Sequence, residues 1–142
     1  MVGREDVQAK IALLRKYNLI IEPYQKIPFE AILTEEDKLS ACERDLLLAC
    51  QSAIDLADIL CKIKGLEHSD NMADGFNTLR IAGILSTSLS ASLTRIRMVG
   101  LRRDLLHSGK RLSYEILKDV LQNNVADLKK FEVVAQQLIT DM

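Results

Sequence analysis

The sequence predicts an all-α fold, an antiparallel bundle of four to five helices. Three observations carry that prediction. Proline occurs only at Pro23 and Pro28, so the 114 residues from Phe29 to Met142 contain none. Only five glycines interrupt that stretch. Apolar residues recur through it at spacings of three and four, the period of one helix face. A chain of 142 residues and 16.0 kDa is one domain, residues 1–142. It is long enough to bury a core without help from a disulfide or metal. Its hydrophobic share of 48% and charged share of 27% are those of a globular domain and argue against disorder as the main state.

The first helix is expected from about Glu5 to Glu22. Val7, Ile11, Leu14 and Tyr17 form its apolar stripe, and Pro23 and Pro28 end or kink it. Thr34-Glu35-Glu36-Asp37 supplies a cap residue followed by acids, which the helix dipole favours in a first turn. The second helix should then run from about Glu35 to Lys64 and stop at Gly65. Leu47, Cys50, Ile54, Ala57 and Cys61 make one stripe, and Leu46, Ala53 and Leu60 an adjacent one. Two neighbouring stripes predict a central helix with more than one partner. Residues 65–75 read as a loop. A short helix is expected over Phe76 to Ile84, then a serine-rich capping stretch through Ser86, Ser88, Ser90 and Ser92. The following helix, striped by Leu89, Leu93, Ile96 and Gly100, should reach about Leu106. A break falls at His107-Ser108-Gly109-Lys110. Ser113 caps the last helix, Tyr114 to Ile139, striped by Leu117, Leu121, Asn124, Leu128, Phe131, Ala135 and Leu138.

Charge is unevenly spread although the net is −1 and the pI about 6.1. Residues 30–58 hold eight acids against two bases; residues 95–111 hold six bases against one acid. These segments are either solvated helix faces or, in the second case, an anion site. The longest apolar run, Leu46 to Cys50, is far short of a membrane span, and no membrane partner is expected. The charged start, Met1 to Asp6, lacks the apolar region of a secretory signal, which predicts a cytoplasmic location. Cys42, Cys50 and Cys61 have no C-x-x-C spacing and read as reduced, buried residues. A zinc site would need His68 or His107 brought to them, without the usual short spacing.

No phosphate-cradling glycine loop, dinucleotide fingerprint or H-E-x-x-H motif is present, and no cofactor is predicted. His68 lies in a polar loop and reads as an exposed histidine. His107 follows Arg102 and Arg103 near a helix C-terminus, where a protonated imidazole is favoured and paired arginines suit a phosphate. Such a set can cleave a phosphodiester without metal: arginine stabilises the developing charge and histidine moves a proton. Arg102 and His107 lie about 140° apart on an ideal helix. They act together only across a helix break or across two chains. Asp55 either faces this basic region as a salt-bridge partner or lies on the bundle surface.

The stretch Gly100-Leu101-Arg102-Arg103-Asp104-Leu105-Leu106-His107 resembles the G-[FL]-R-N-x-x-x-H-x-Y segment of HepT-like proteins of the HEPN superfamily. Residues Glu43 to Leu60, with the Ile54-Asp55-Leu56-Ala57 step, are similar to that family's second helix, and Ser113 to Leu121 to its ending. The resemblance implies a homodimeric helical bundle with Arg102 and His107 of both subunits lining a shared cleft. It further implies a metal-independent ribonuclease, the toxin of a toxin–antitoxin pair, inhibited by a minimal nucleotidyltransferase. Arg103, Arg95, Arg97 and Lys110 would bind RNA phosphates, with Asp104 and Asp55 in support. Two positions depart from the family pattern. Arg103 replaces its Asn or Asp, with Asp104 one place late, and a cation cannot accept the hydrogen bond an orienting group would. Gly109 replaces the tyrosine to which the nucleotidyltransferase attaches AMP. The second reading is therefore a catalytically silent helical subunit that docks a nucleotidyltransferase and presents nucleotide or substrate to it. A third, a small-molecule enzyme working through Asp55 and Asp58, has less in its favour.

Overall fold

The computed structural model describes residues 2–66, 74–100 and 112–142. Among them are seven helices and no strand: α1 (Arg4–Gln25), α2 (Phe29–Leu33), α3 (Glu36–Ile63), α4 (Gly75–Ile81), α5 (Thr87–Gly100), α6 (Tyr114–Asn123) and α7 (Val125–Thr140). The all-α expectation holds, and the predicted helices are present among the described residues; the predicted helix end near Leu106 and the break at His107-Ser108-Gly109-Lys110 lie outside them.

The central helix is α3, about 42 Å long at 1.5 Å per residue. Both of its predicted stripes are buried, from Leu46 at 0% exposure to Ile54 at 9%. It packs against α1, α4, α5 and α7. Its end at Gly65 is a Schellman turn. Gly65 has φ +66°, its N–H reaches the Lys62 carbonyl, and the Leu66 N–H reaches that of Cys61 at 2.9 Å, as expected of a left-handed glycine closing a helix. The turn after α4 repeats this device at Gly83, φ +81°, with Ile84 N–H on the Leu79 carbonyl at 2.9 Å.

Hydrogen bonds fix the helix directions. Arg4 donates to the Ile139 carbonyl, Arg15 and Asn18 to Glu132, and Gln25 to the Leu121 carbonyl. As α1 advances its partners recede, so α1 runs antiparallel to α6–α7. Asn124 donates to Ser92, Ser92 to Asp127, and Arg95 to Asp119, which makes α5 antiparallel to the same pair. Phe76 and Phe131, both fully buried, meet edge to face with centroids 5.3 Å apart and lock α4 to α7.

Four local expectations are corrected. The first helix passes through Pro23 and ends at Gln25. Proline here removes one hydrogen bond, to the Leu19 carbonyl, in the final turn. Leu19 is 63% exposed, so water can replace that bond. The stripe of α1 continues through buried Asn18 and Ile21 rather than Tyr17. Thr34 does not cap α3. It ends the short α2, its hydroxyl donating to the Ala31 carbonyl at 3.2 Å, and the N-cap position of α3 is Glu35, which makes no side-chain cap hydrogen bond. The last helix is two helices. Asn124 interrupts it at φ −118°, ψ −25°, a buried amide on an apolar stripe that turns toward Ser92 of α5, 2.9 Å away.

The three cysteines are free and buried. Burial pushes the Cys42 and Cys50 thiols up to about 12 and that of Cys61 up to about 11. Asp45 and Glu43 add to the effect at Cys42. Burial also raises the Tyr24 phenol to about 12, with Asp45 beside it contributing. Each group keeps its proton longer in the native state than in the unfolded chain. The stability it contributes is complete below its unfolded pKa and is lost as pH rises toward the folded value. Thermal denaturation is therefore expected to show a falling Tm from about pH 9 upward, less steep in Cys50→Ala. A Tm that stays level between about pH 8 and 11 would contradict this placement of the thiols.

Candidate functional site

The basic segment begins on α5. Ser86 caps this helix, its hydroxyl accepting from the Leu89 N–H at 3.2 Å. Leu93, Ile96, Val99 and Gly100 are buried, and Ser90 faces inward and donates to the Phe76 carbonyl. The outer side presents Ala91, Arg95 and Met98 to solvent. Arg95 and Arg97 lie roughly 200° apart on the helix and serve different neighbours.

Arg95 pairs with Asp119 of α6, and half of its side chain remains exposed. Asp119 also accepts from Asn123. Arg97 turns the other way and is only 15% exposed, its Nε 4.0 Å from Asp74 Oδ1. Asp74 is the N-cap of α4. Its Oδ1 accepts from the Phe76 N–H at 3.0 Å, and its Oδ2 accepts from Thr94 Oγ1 at 2.7 Å. One carboxylate thus caps α4, holds Thr94 of α5 and lies beside Arg97. Next to this cap, Gly75 of α4 sits so close to α3 that an added Cβ would lie 3.0 Å from Asp58 Oδ1. Sequence reading placed Asp74 in a loop; the Asp-Gly-Phe start of a helical run is the signal for a cap at this position.

Asp55 of α3 is half-buried and accepts from Gln51 Nε2 at 2.8 Å, one turn back on its own helix. Glu43, counted among the acids of a solvated face, is instead 2% exposed. The network of Ser92, Asn124 and Asp127, which ties α5 to α7, was also unforeseen. Arg102, Arg103, Asp104, His107 and Lys110 lie outside the described residues, as does His68.

The last described residue before that segment is Gly100, where α5 and α3 touch. A Cβ there would lie 2.9 Å from Ile54 Cδ1 and 3.0 Å from Cys50 Cβ. Leu112, the first described residue after the segment, is 3% exposed. Both chain ends leading into the Arg102–His107 stretch are therefore anchored in packed structure. Gly100→Ala is expected to force α5 away from α3 and destabilise by about 1–3 kcal/mol, as overpacking does, beyond the small gain in helix propensity. Urea denaturation checks this, and a variant at least as stable as the parent would contradict the close approach.

The fold is that of an all-α protein wrapped around one long central helix. Residues 9–133 match the family model described as Ribonuclease HepT-like, and the chain belongs to the HepT-like family. No curated protein matches it in sequence. Three similar solved structures share the fold. A tyrosine-to-alanine variant of an MntA–HpeT toxin–antitoxin is 21% identical, with a TM-score of 0.75 over 92% of this chain and 98% of that one. A tri-AMPylated Shewanella oneidensis HEPN toxin in complex with MNT antitoxin is 22% identical, with a TM-score of 0.74 over 92% and 96%. A toxin–antitoxin with AMP-PNP is 22% identical, with a TM-score of 0.75 over 92% and 97%.

Proposed function

We propose that this chain is the toxin of a toxin–antitoxin pair. It is a cytoplasmic, metal-independent endoribonuclease that acts as a homodimer, and its antitoxin is a minimal nucleotidyltransferase. The observation that carries the reading is the family match over residues 9–133, which spans the Arg102-x4-His107 spacing. The basic stretch from Arg95 to Arg111 and the described toxin–antitoxin structures of the same fold support it.

In this reading the whole chain acts as one domain. The shared cleft takes an RNA backbone. One His107 imidazole accepts the proton of a ribose 2′-OH, whose oxygen attacks the adjacent phosphorus. The bond from phosphorus to the 5′ oxygen breaks, and the other imidazole, protonated, returns a proton to that oxygen. Arg102 guanidinium groups hold the phosphate oxygens as charge builds. The products are a 2′,3′-cyclic phosphate and a 5′-hydroxyl. Arg103, Arg95, Arg97 and Lys110 add backbone attraction, which weakens with salt, and Asp104 and Asp55 orient or balance these cations. Arg95, half exposed beside Asp119, reaches a phosphate by exchanging its partner; Arg97, mostly buried beside Asp74, contributes mainly through its field.

Arg103 and Gly109, where the family has an Asn or Asp and a tyrosine, favour the second reading, a silent subunit that docks the nucleotidyltransferase. Incubation of the purified chain with RNA in EDTA separates the two. Cleavage that yields cyclic-phosphate ends supports the ribonuclease. Intact RNA together with a stable complex with the transferase supports the silent subunit.

A further inference from the structure

We infer that the seam between α1 and α7 is a binding site for an alkyl cation, a guanidinium or primary ammonium group on a short apolar stem. The site involves none of the residues assigned to the ribonuclease and does not depend on that reading. A cleft of about 180 Å³ opens there, lined by the second half of α1 and the first turns of α7. That volume exceeds the roughly 150 Å³ that holds a benzene ring in a protein interior, so a short alkyl chain with a polar head fits.

Hydrogen bonding decides the sign of the ligand. Most donors on the cleft wall are already taken. Arg15 Nε and Asn18 Nδ2 both donate to Glu132, at 2.8 and 3.0 Å. Gln25 Nε2 donates to the Leu121 carbonyl at 3.1 Å. Lys129 is exposed, and its long stem leaves the ammonium in water. Acceptors are in surplus. Asn18 is 9% exposed, and its Oδ1 is buried without a hydrogen-bond partner among the described residues. Leu19 precedes Pro23 by four residues, so its carbonyl has no N–H from the next turn to accept. Glu22, half-buried on the same wall, has no ion pair among the described residues.

A buried acceptor left unpaired destabilises the native fold, and a ligand that brings several N–H groups removes that penalty. A guanidinium carries five donors and an ammonium three, with no acceptor on either. Such a head reaches Glu22 by a charge-assisted hydrogen bond. Glu132, its side chain 13% exposed, adds negative potential beside it. The stem lies on Val125, Ala126 and Leu19, the apolar part of the lining, and covers the otherwise exposed Leu19. An anion would meet these same acceptors with only Lys129 to attract it.

The test titrates the full chain with n-butylguanidinium and with its neutral isostere n-butylurea, following backbone amides by NMR and affinity by calorimetry. Saturable binding of the cation that shifts the amides of Asn18, Leu19 and Ala126 is the expected result. The urea should bind about tenfold more weakly, the difference made by one charged hydrogen bond. Glu22→Gln should weaken the cation by about the same factor, and Ala126→Phe should block the cleft. Both positions reach solvent, so neither replacement disturbs the core. Glu5→Gln, at the far end of α1, should leave binding unchanged. A capped pentapeptide with one central arginine separates the sources of the cation. Binding as tight as that of the free cation assigns the cleft to a side chain of a partner protein; binding of the free cation alone assigns it to a small amine. No binding, equal affinity for cation and urea, inorganic phosphate bound in place of the cation, or amide shifts that survive Ala126→Phe would each overturn the site.

Discussion

His107→Ala is expected to lower the rate of RNA cleavage by about 10²–10⁴-fold, the contribution of a positioned proton-transfer group. Arg102→Ala should cost about 10²–10³-fold, the usual effect of removing one donor aimed at developing charge. Arg102→Lys should recover little, because an ammonium cannot make the paired contacts of a guanidinium to a phosphate. Thermal melting of all three should match that of the parent, which separates lost chemistry from lost fold. The geometry of an ideal helix puts Arg102 and His107 about 140° apart, so the proposed cleft draws on two subunits. Mixing the inactive Arg102→Ala and His107→Ala proteins is therefore expected to restore part of the activity. Full cleavage by His107→Ala would end the ribonuclease reading, and a chain that sediments as a monomer while cleaving RNA would end the shared cleft.

Phe131→Ala should cause the largest loss of stability, about 3–5 kcal/mol. Phe131 is wholly buried and meets Phe76 edge to face at 5.3 Å, so truncation leaves a cavity between α4 and α7 as well as exposing the face of its partner ring. Set against a total of about 5–15 kcal/mol for a domain, this corresponds to a drop in Tm of about 10–15 °C. Val133, two residues away on the same helix and 61% exposed, supplies the contrast: Val133→Ala should change stability by no more than about 0.5 kcal/mol. Equal effects from the two substitutions would contradict the orientation of α7.

Much of this fold is written in local periodicity. The two stripes of α3, the stop at Gly65, the Ser113 cap and the buried cysteines all follow from residues within a turn or two of one another. Three features escape such reading, two because a local signal has more than one outcome and one because it depends on a distant neighbour. Pro23 does not end α1, since only one bond is missing and it falls in the last turn beside an exposed Leu19. Asn124 looks like one more member of an apolar stripe until Ser92 of α5 is placed opposite it. Thr34 has the composition of a cap and bonds backward to Ala31 instead. At the site, the Arg102-x4-His107 spacing is visible along the chain. The opposite duties of Arg95 and Arg97 are not, because Asp119 and Asp74 reach them from other helices.

By itself the order of residues determines that this chain is helical, where its long helices run, which faces are apolar and which short segment gathers the cations; each follows from spacing within a single helix. Only the packed structure decides that Gly100 lies hard against Ile54 and Cys50 of α3, that Asp74 joins the start of α4 to Thr94, and that Tyr114 is the tyrosine left open to solvent. Those outcomes depend on side chains tens of residues apart meeting in space, and no local period encodes such meetings.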